Sequence, residues 1–368
     1  MVNLTSSHKI ARVFGIDIKL HMSWFFIFFL LAWSLATWYF PTNYEFGTAV
    51  NWVLGYVAAV LLFVSVAMHE LAHSLVGRRH GIKVYSITLF FFGGIANISD
   101  QKITPDTELK VSLAGPFLSL TLSALFFMLT KTPLIPQVIA VFDYLFKLNL
   151  ILALFNLAPG YPLDGGRVLR AIIWKATGDI KKATKYASEG GKTIGYILVA
   201  IGVIGIFFGY GGLWYILLGL FLVFLAGAGF QQVLLKQKLS MVNIKAHLEK
   251  KFLLLSPKKT LTDFVKKCIE LDHHSFIVKN KNVYGVINLD ELSQIPKKFW
   301  PKVKIGEVAK VVTPLSYDEN AYNALRKMQN LEVDILPVEK GNQIVGVLHE
   351  SALMNLARIR LLEEKLEG

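Results

Sequence analysis

The chain has one cysteine in 368 residues, Cys268. It can form no internal disulfide and no thiolate metal cluster, so any metal it holds must be bound by histidine and carboxylate. Acidic residues are also scarce: 26 Asp and Glu stand against 39 Lys and Arg, a formal net charge of +13. No nucleic-acid recognition motif accompanies that excess, which argues against a nucleic-acid partner and points to lipid head groups and membrane topology instead. Residues 1–19 are polar and mixed, without a hydrophobic core or a small-residue cleavage site, so no removable signal peptide is expected. Apolar residues are what the sequence has in abundance. They make up 54% of it, with 12% aromatic and a mean hydropathy of +0.48, far beyond a soluble domain.

The apolar excess ends near Gln231, and the remainder is charged and ordinary, so two regions are expected: a membrane domain over residues 1–235 and a soluble domain over 240–360. With about 20 apolar residues per span, spans are predicted over residues 21–40, 52–75, 109–129, 138–158, 193–208 and 213–233. Six crossings bring both ends to one side. Loops on that side carry Lys9, Arg12 and Lys19, then Arg78, Arg79, Lys83 and Lys102, then Arg167, Arg170, Lys175, Lys181, Lys182 and Lys185, whereas the opposite loops hold little more than Lys131. The positive-inside rule puts both termini and the soluble region in the cytoplasm. Asp143 and Lys147, four apart in the fourth span, read as an ion pair neutralising itself within the bundle.

Between the second and third spans, residues 83–99 (K-V-Y-S-I-T-L-F-F-F-G-G-I-A-N-I-S) are rich in aromatic and β-branched side chains, with a turn or kink at Gly93-Gly94. The segment is too short to span and too apolar for a free loop. A hairpin or small sheet lying against the bundle is expected, where protein satisfies its backbone. After about Ser240 the pattern doubles: each half gives an amphipathic helix, a strand ending near a Lys-Asn or Lys-Gly turn, a second strand and a short helix. This resembles a tandem pair of CBS domains. The fold class is thus a polytopic α-helical membrane protein, about six transmembrane helices with an inserted β-hairpin or small sheet, followed by a soluble α+β CBS pair.

The chemistry centres on H-E-L-A-H, residues 69–73. His69 and His73 are four apart, so on a helix both imidazoles project from one face and can hold one ion. Glu70 lies about 60° around the helix from His73, within reach of a water on that ion. The motif continues an apolar helix, and three ionisable groups there carry a desolvation cost that marks a functional site rather than interhelical hydrogen bonding. Catalytic zinc takes three protein ligands and leaves a fourth position to water. In N-L-A-P-G-Y-P-L-D-G-G-R, residues 156–167, a span returns to the same side and is broken by Pro159, Gly160 and Pro162 before Asp164. Asp164 either supplies the third ligand or caps the helix starting near Gly165; spacing leaves both readings open.

H-E-L-A-H together with this second motif resembles the site-two protease family of intramembrane zinc metalloproteases, peptidase family M50. The resemblance extends to I-K-L-H-M-S-W at the first span, F-G-G-I-A in the hairpin and A-G-P at residues 114–116, covering the whole membrane region. A C-terminal CBS pair is similar to one prokaryotic branch, which implies the plasma membrane of a prokaryote. The resemblance implies His69 and His73 as the first two zinc ligands, Glu70 as general base and Asp164, in L-D-G, as the third ligand. Asn156 matches a family asparagine near the metal, either donating to the substrate carbonyl or oxyanion or bonding broken helix backbone. Arg167 reads as a lipid-facing or capping cation.

The implied activity is regulated intramembrane proteolysis: one zinc ion, a transmembrane protein substrate, and Glu70 moving the proton from water to the leaving amine. The hairpin offers a strand edge that could hold an unwound substrate by β-augmentation. The CBS resemblance implies an adenine nucleotide or a homodimer through the CBS pair. Asn288 where Ser or Thr is frequent, Glu291 where Asp is frequent, and Ala352 weigh against the nucleotide. His21 is expected to anchor the first span at the interface, and His273 and His274 lack partners at metal spacing. A transporter or channel with a CBS pair is the main rival, but passage has no need of a tight zinc site beside a base. A prenyl-protein processing protease is opposed by L-D-G, and an inactive scaffold by the presence of every proposed ligand.

Overall fold

The computed structural model describes residues 7–90, 93–98, 103–209, 211–280, 283–293, 295–341 and 343–367. Lys102, Ser99 and the turn positions 281–282 and 342, which figure in the sequence expectations, lie outside the described residues. The chain forms two compact units, Met1–Phe230 and Gln231–Gly368.

Among the described residues, six helices are long and apolar enough to cross a membrane: α1 (Met22–Asn43), α2 (Thr48–Arg79), α3 (Pro105–Leu129), α4 (Pro136–Asn156), α6 (Ile180–Phe207) and α7 (Leu213–Ser240), the last running past Phe230 into the second unit. A shorter amphipathic helix, α5 (Asp164–Thr177), sits between α4 and α6 and ends on Gly178 in the left-handed conformation. Several helices outrun the predicted spans. At 32 residues, α2 is about 48 Å long at 1.5 Å per residue, more than a bilayer core, and its excess carries Arg78 and Arg79. Helix α6 starts thirteen residues earlier than hydropathy predicts, because the Asp179 carboxylate accepts from the amides of Lys181 and Lys182 and so caps a polar first turn. In α4, Lys147 Nζ donates to Asp143 Oδ2 at 2.7 Å, and the Tyr44 hydroxyl donates to the same oxygen at 2.9 Å. The expected ion pair therefore has a third member from the loop after α1.

The inserted strands belong to a four-stranded sheet in the order β1 (Ser7–Val13), β2 (Ile16–His21), β3 (Val84–Phe90), β4 (Gly93–Ile98). β2 and β3 pair in parallel, Ile18 opposite Ile87 and Leu20 opposite Leu89, and the other two pairs are antiparallel. Alternation in I-D-I-K-L-H buries Ile16, Ile18 and Leu20 on one face. With Ile87 and Leu89 that face packs on Val66, Ala67, Leu71 and Leu75 of α2, the turns that carry the histidines. The Gly93-Gly94 pair opens β4, opposite Phe90 and Leu89, rather than forming the turn.

The second unit repeats one motif. β5 (Leu254–Leu255), helix α8 (Leu261–Leu271), β6 (Ser275–Asn280) and β7 (Val283–Asn288) correspond to β9 (Leu315–Ser316), helix α9 (Ala321–Leu331), β10 (Ile335–Lys340) and β11 (Gln343–His349). In each half the first strand runs parallel to the second and the second antiparallel to the third; β8 (Lys310–Val312) extends the first sheet beside β7. Both helices are bounded alike. Thr260 and Asp263 form a capping box, Asn320 accepts from the Asn323 amide, and Asp272 and Glu332 end the helices at φ 53° and 52°. This doubled α/β arrangement is the one a CBS pair requires. Cys268 is buried with Phe264, Phe276 and Ile287 in the first half's core, and that burial pushes its thiol up to about 11.

Candidate metal centre

α2 projects His69 and His73 from one face toward α3 and the start of α5. His69 Nε2 and His73 Nε2 lie 3.2 Å apart, and Asp164 Oδ2 lies 3.2 Å from the first and 3.1 Å from the second. All three residues are buried, at 4, 8 and 8% exposure. Two imidazoles and a carboxylate thus converge on one point. Tetrahedral zinc with bonds of about 2.0–2.1 Å holds its ligand atoms about 3.3 Å apart, so the triangle has the size the ion needs.

The other ring nitrogens decide what those three atoms can do. His73 Nδ1 lies 2.6 Å from the backbone carbonyl of Val111 and must donate to it, which in the neutral ring turns the Nε2 lone pair inward. His69 Nδ1 lies 2.9 Å from Ser119 Oγ; as donor there, it too turns a lone pair inward. With both rings neutral, two lone pairs and a carboxylate face each other in a buried site, and a cation would satisfy all three. Gly115, between Val111 and Ser119 on α3, leaves room for it: an added Cβ would collide with His73 Nε2 and come within 2.6 Å of His69 Nε2. Among the described residues, His69, His73 and Asp164 form the one such donor cluster.

Asp164 is the first residue of α5, whose N-cap is Leu163. Its carboxylate turns to the histidines rather than capping the helix, and Arg167 Nη1 lies 3.9 Å from its second oxygen. Glu70 faces the sheet. A Cβ at Gly94 would collide with Glu70 Cγ and come within 2.9 Å of Cδ, so the β4 backbone passes directly over the carboxylate side chain. Asn156 is the last residue of α4, partly buried, and its amide donates to Leu152 O at 2.9 Å; it is not one of the three converging donors. His21 caps α1, accepting from the Ser23 amide at 3.2 Å. The His273 ring packs edge-on against Phe276 in the second unit.

Val111 and Ser119 are site residues that the sequence motifs do not include, and Gly115 figures there only as the centre of A-G-P, without a role at the metal. Their signal was a four-residue spacing on one face of α3, with glycine and serine in an otherwise apolar stretch.

Comparison with known proteins agrees with this chemistry. The family model for peptidase family M50 matches residues 57–137 and 131–202. A putative zinc metalloprotease of Synechocystis sp. is 30% identical over 366 residues, covering 95% of each chain. The putative zinc metalloprotease Rip3 of Mycobacterium tuberculosis is 32% identical, over 82% of this chain and 79% of its own length. Among solved structures, the site-2 protease from Methanocaldococcus jannaschii is 31% identical, covering 61% of this chain and 95% of that one at a TM-score of 0.42. The near-complete overlap with zinc metalloproteases, on a six-helix membrane unit, settles the family: this chain belongs to peptidase family M50, as a multi-pass intramembrane zinc metalloprotease.

Proposed function

We propose that the enzyme hydrolyses peptide bonds within or beside transmembrane segments of membrane proteins, with His69, His73 and Asp164 holding one zinc ion and Glu70 as the general base. The observation that carries this reading is the triangle of Nε2, Nε2 and Oδ2 with Glu70 on the adjoining turn. Zinc in such a site polarises a carbonyl and lowers the pKa of its water to about 7. Glu70 takes the proton from the attacking water and delivers it to the leaving amine. Val111 O and Ser119 hold the imidazoles in the ligating tautomer throughout. Asn156, at the mouth of α4, donates to the developing oxyanion once substrate displaces its bond to Leu152 O.

A transmembrane helix hides its carbonyls in its own hydrogen bonds, so the substrate must be unwound to react. β4 is the outer strand of its sheet and passes over Glu70, which supports pairing of an extended substrate along its free edge. The basic end of α2 supports a cytoplasmic position for the site, both termini and the soluble region, in a prokaryotic plasma membrane.

The domain division proposed is a protease domain over 1–235 and a regulatory CBS pair over 240–360. The second unit has a cavity of about 400 Å³ lined by Glu249, Lys251, Lys267, His273 and His349 among others. It is of a size for an adenine nucleotide, with cations for the phosphates. Asn288 and Glu291 do not serve it: Asn288 caps the helix after β7, and Glu291 pairs with Lys310 at 3.4 Å. The CBS pair modulates cleavage through that cavity or as a homodimer contact.

Glu70→Gln in proteoliposomes tests the catalytic assignment. Cleavage should fall by about 10²–10⁴-fold while zinc content stays at one per chain; full activity in this variant would sink it.

A further inference from the structure

Helix α3 carries none of the three donors, yet one stripe of it governs how they meet. Glu108, Val111, Gly115 and Ser119 follow one another at spacings of three, four and four along a single face. Val111 O and Ser119 Oγ engage the Nδ1 atoms of His73 and His69. At the start of the stripe, Glu108 Oε1 accepts from Arg170 Nε at 2.8 Å and also from Arg170 Nη2. Arg170 lies on α5, whose first residue is Asp164. The pair is well buried, with side chains 4 and 17% exposed, and the Arg170 guanidinium also lies over the Tyr161 ring, 5.9 Å from its centre.

Burying a carboxylate and a guanidinium costs desolvation that a leucine pair would avoid, so such a pair is weak evidence for stability. Its geometry has another use. The histidines come from one helix and are aimed by α3, whereas Asp164 arrives 95 residues after His69 with no covalent tie to either. Ligand distances must hold to within about 0.2 Å. Apolar contacts alone let helices slide by more than that, whereas a forked guanidinium–carboxylate contact fixes both direction and distance.

We propose that Glu108 and Arg170 are positioning residues for the metal centre: their ion pair locks α5 to the face of α3 that aims the histidines, and so sets Asp164 Oδ2 at ligand distance. The inference rests on the reading of His69, His73 and Asp164 as zinc ligands.

The test is zinc affinity of the full-length protein in detergent, measured by competition with a chromophoric chelator, with unfolding of the metal-free protein followed in parallel. Glu108→Gln and Arg170→Gln should each weaken zinc by about 10–100-fold, the size of a lost outer partner. In an Asp164→Ala background, Glu108→Gln should weaken it no further, because the ligand it positions is gone. Should Glu108→Gln fail to fold, Arg170→Lys keeps the charge and loses the fork; a loss of about threefold or more is expected. Unchanged affinity in these variants, or an equal loss with and without Asp164, would overturn the proposal. His73→Ala separates this from the ligand reading, since wild-type zinc affinity there would remove the ligand assignment itself.

Discussion

Replacing Gly115 by alanine sets two physical effects of opposite sign against each other. In a helix interior, Gly to Ala gains roughly 1 kcal/mol of helix propensity, which offsets part of what crowding costs the metal-free fold. At the metal centre, however, the new methyl group collides with His73 Nε2 and stands 2.6 Å from His69 Nε2, where ordinary contact begins at 3.4 Å. Both rings must retreat, His69 by about 0.8 Å and His73 by more, several times the tolerance of a zinc ligand. Neither ring can move freely, because His69 is tied to Ser119 and His73 to Val111 O. Overpacking of this kind costs about 1–3 kcal/mol, which weakens zinc by roughly 5–150-fold. Chelator competition on purified protein reads the affinity, and thermal unfolding in excess chelator reads the metal-free fold. Zinc binding within twofold of wild type would refute the argument that Gly115 makes room for the ion.

Single prolines along β4, at positions whose amides face the open edge, should lower cleavage of a membrane substrate by about tenfold or more without changing zinc affinity; unaltered cleavage across the strand would remove the pairing role. ATP or AMP added to the full-length protein should raise its unfolding temperature if the cavity beside His349 takes a nucleotide, and no shift at about 100-fold above micromolar affinity would exclude it. Cys268 should resist maleimide at pH 7.5 in the native protein and react on unfolding: burial pushes its thiol up to about 11, which keeps it protonated at that pH. Rapid native labelling would contradict the packing of the second unit.

Much of the metal centre was legible because its chemistry is carried by side chains whose types are rare in a membrane. Two histidines a helical turn apart and an aspartate after a broken helix stand out against apolar neighbours. The supporting groups left weaker traces. Val111 acts through a backbone carbonyl that any residue would present, and Gly115 through the lack of a side chain. Asn156 could be located but not aimed, since choosing between substrate and Leu152 O is a matter of torsion angles. The hairpin was visible in its aromatic and β-branched residues, whereas β1 was not: its residues are largely exposed and its Lys9 and Arg12 pair with Asp17, so it has no alternation to read. β2 does alternate, but over only six residues directly before a span. Hydropathy placed the spans and misjudged their ends, which are set by caps such as Asp179.

The parallel pairing of β2 with β3 also bears on the order of assembly during synthesis. Those strands flank α1 and α2, and β4 follows directly, so the sheet can close around this helical pair while α3 is still unmade. At that stage the nascent chain already carries both histidines and Glu70 but neither the glycine-lined wall nor the third donor. On the proposed ligand set, a stable zinc site waits for α5 to bring Asp164. On that ligand set, a chain interrupted between β4 and α5 lacks one of its three donors, and metal loading reports the docking of α5, before α6 and α7 are in place.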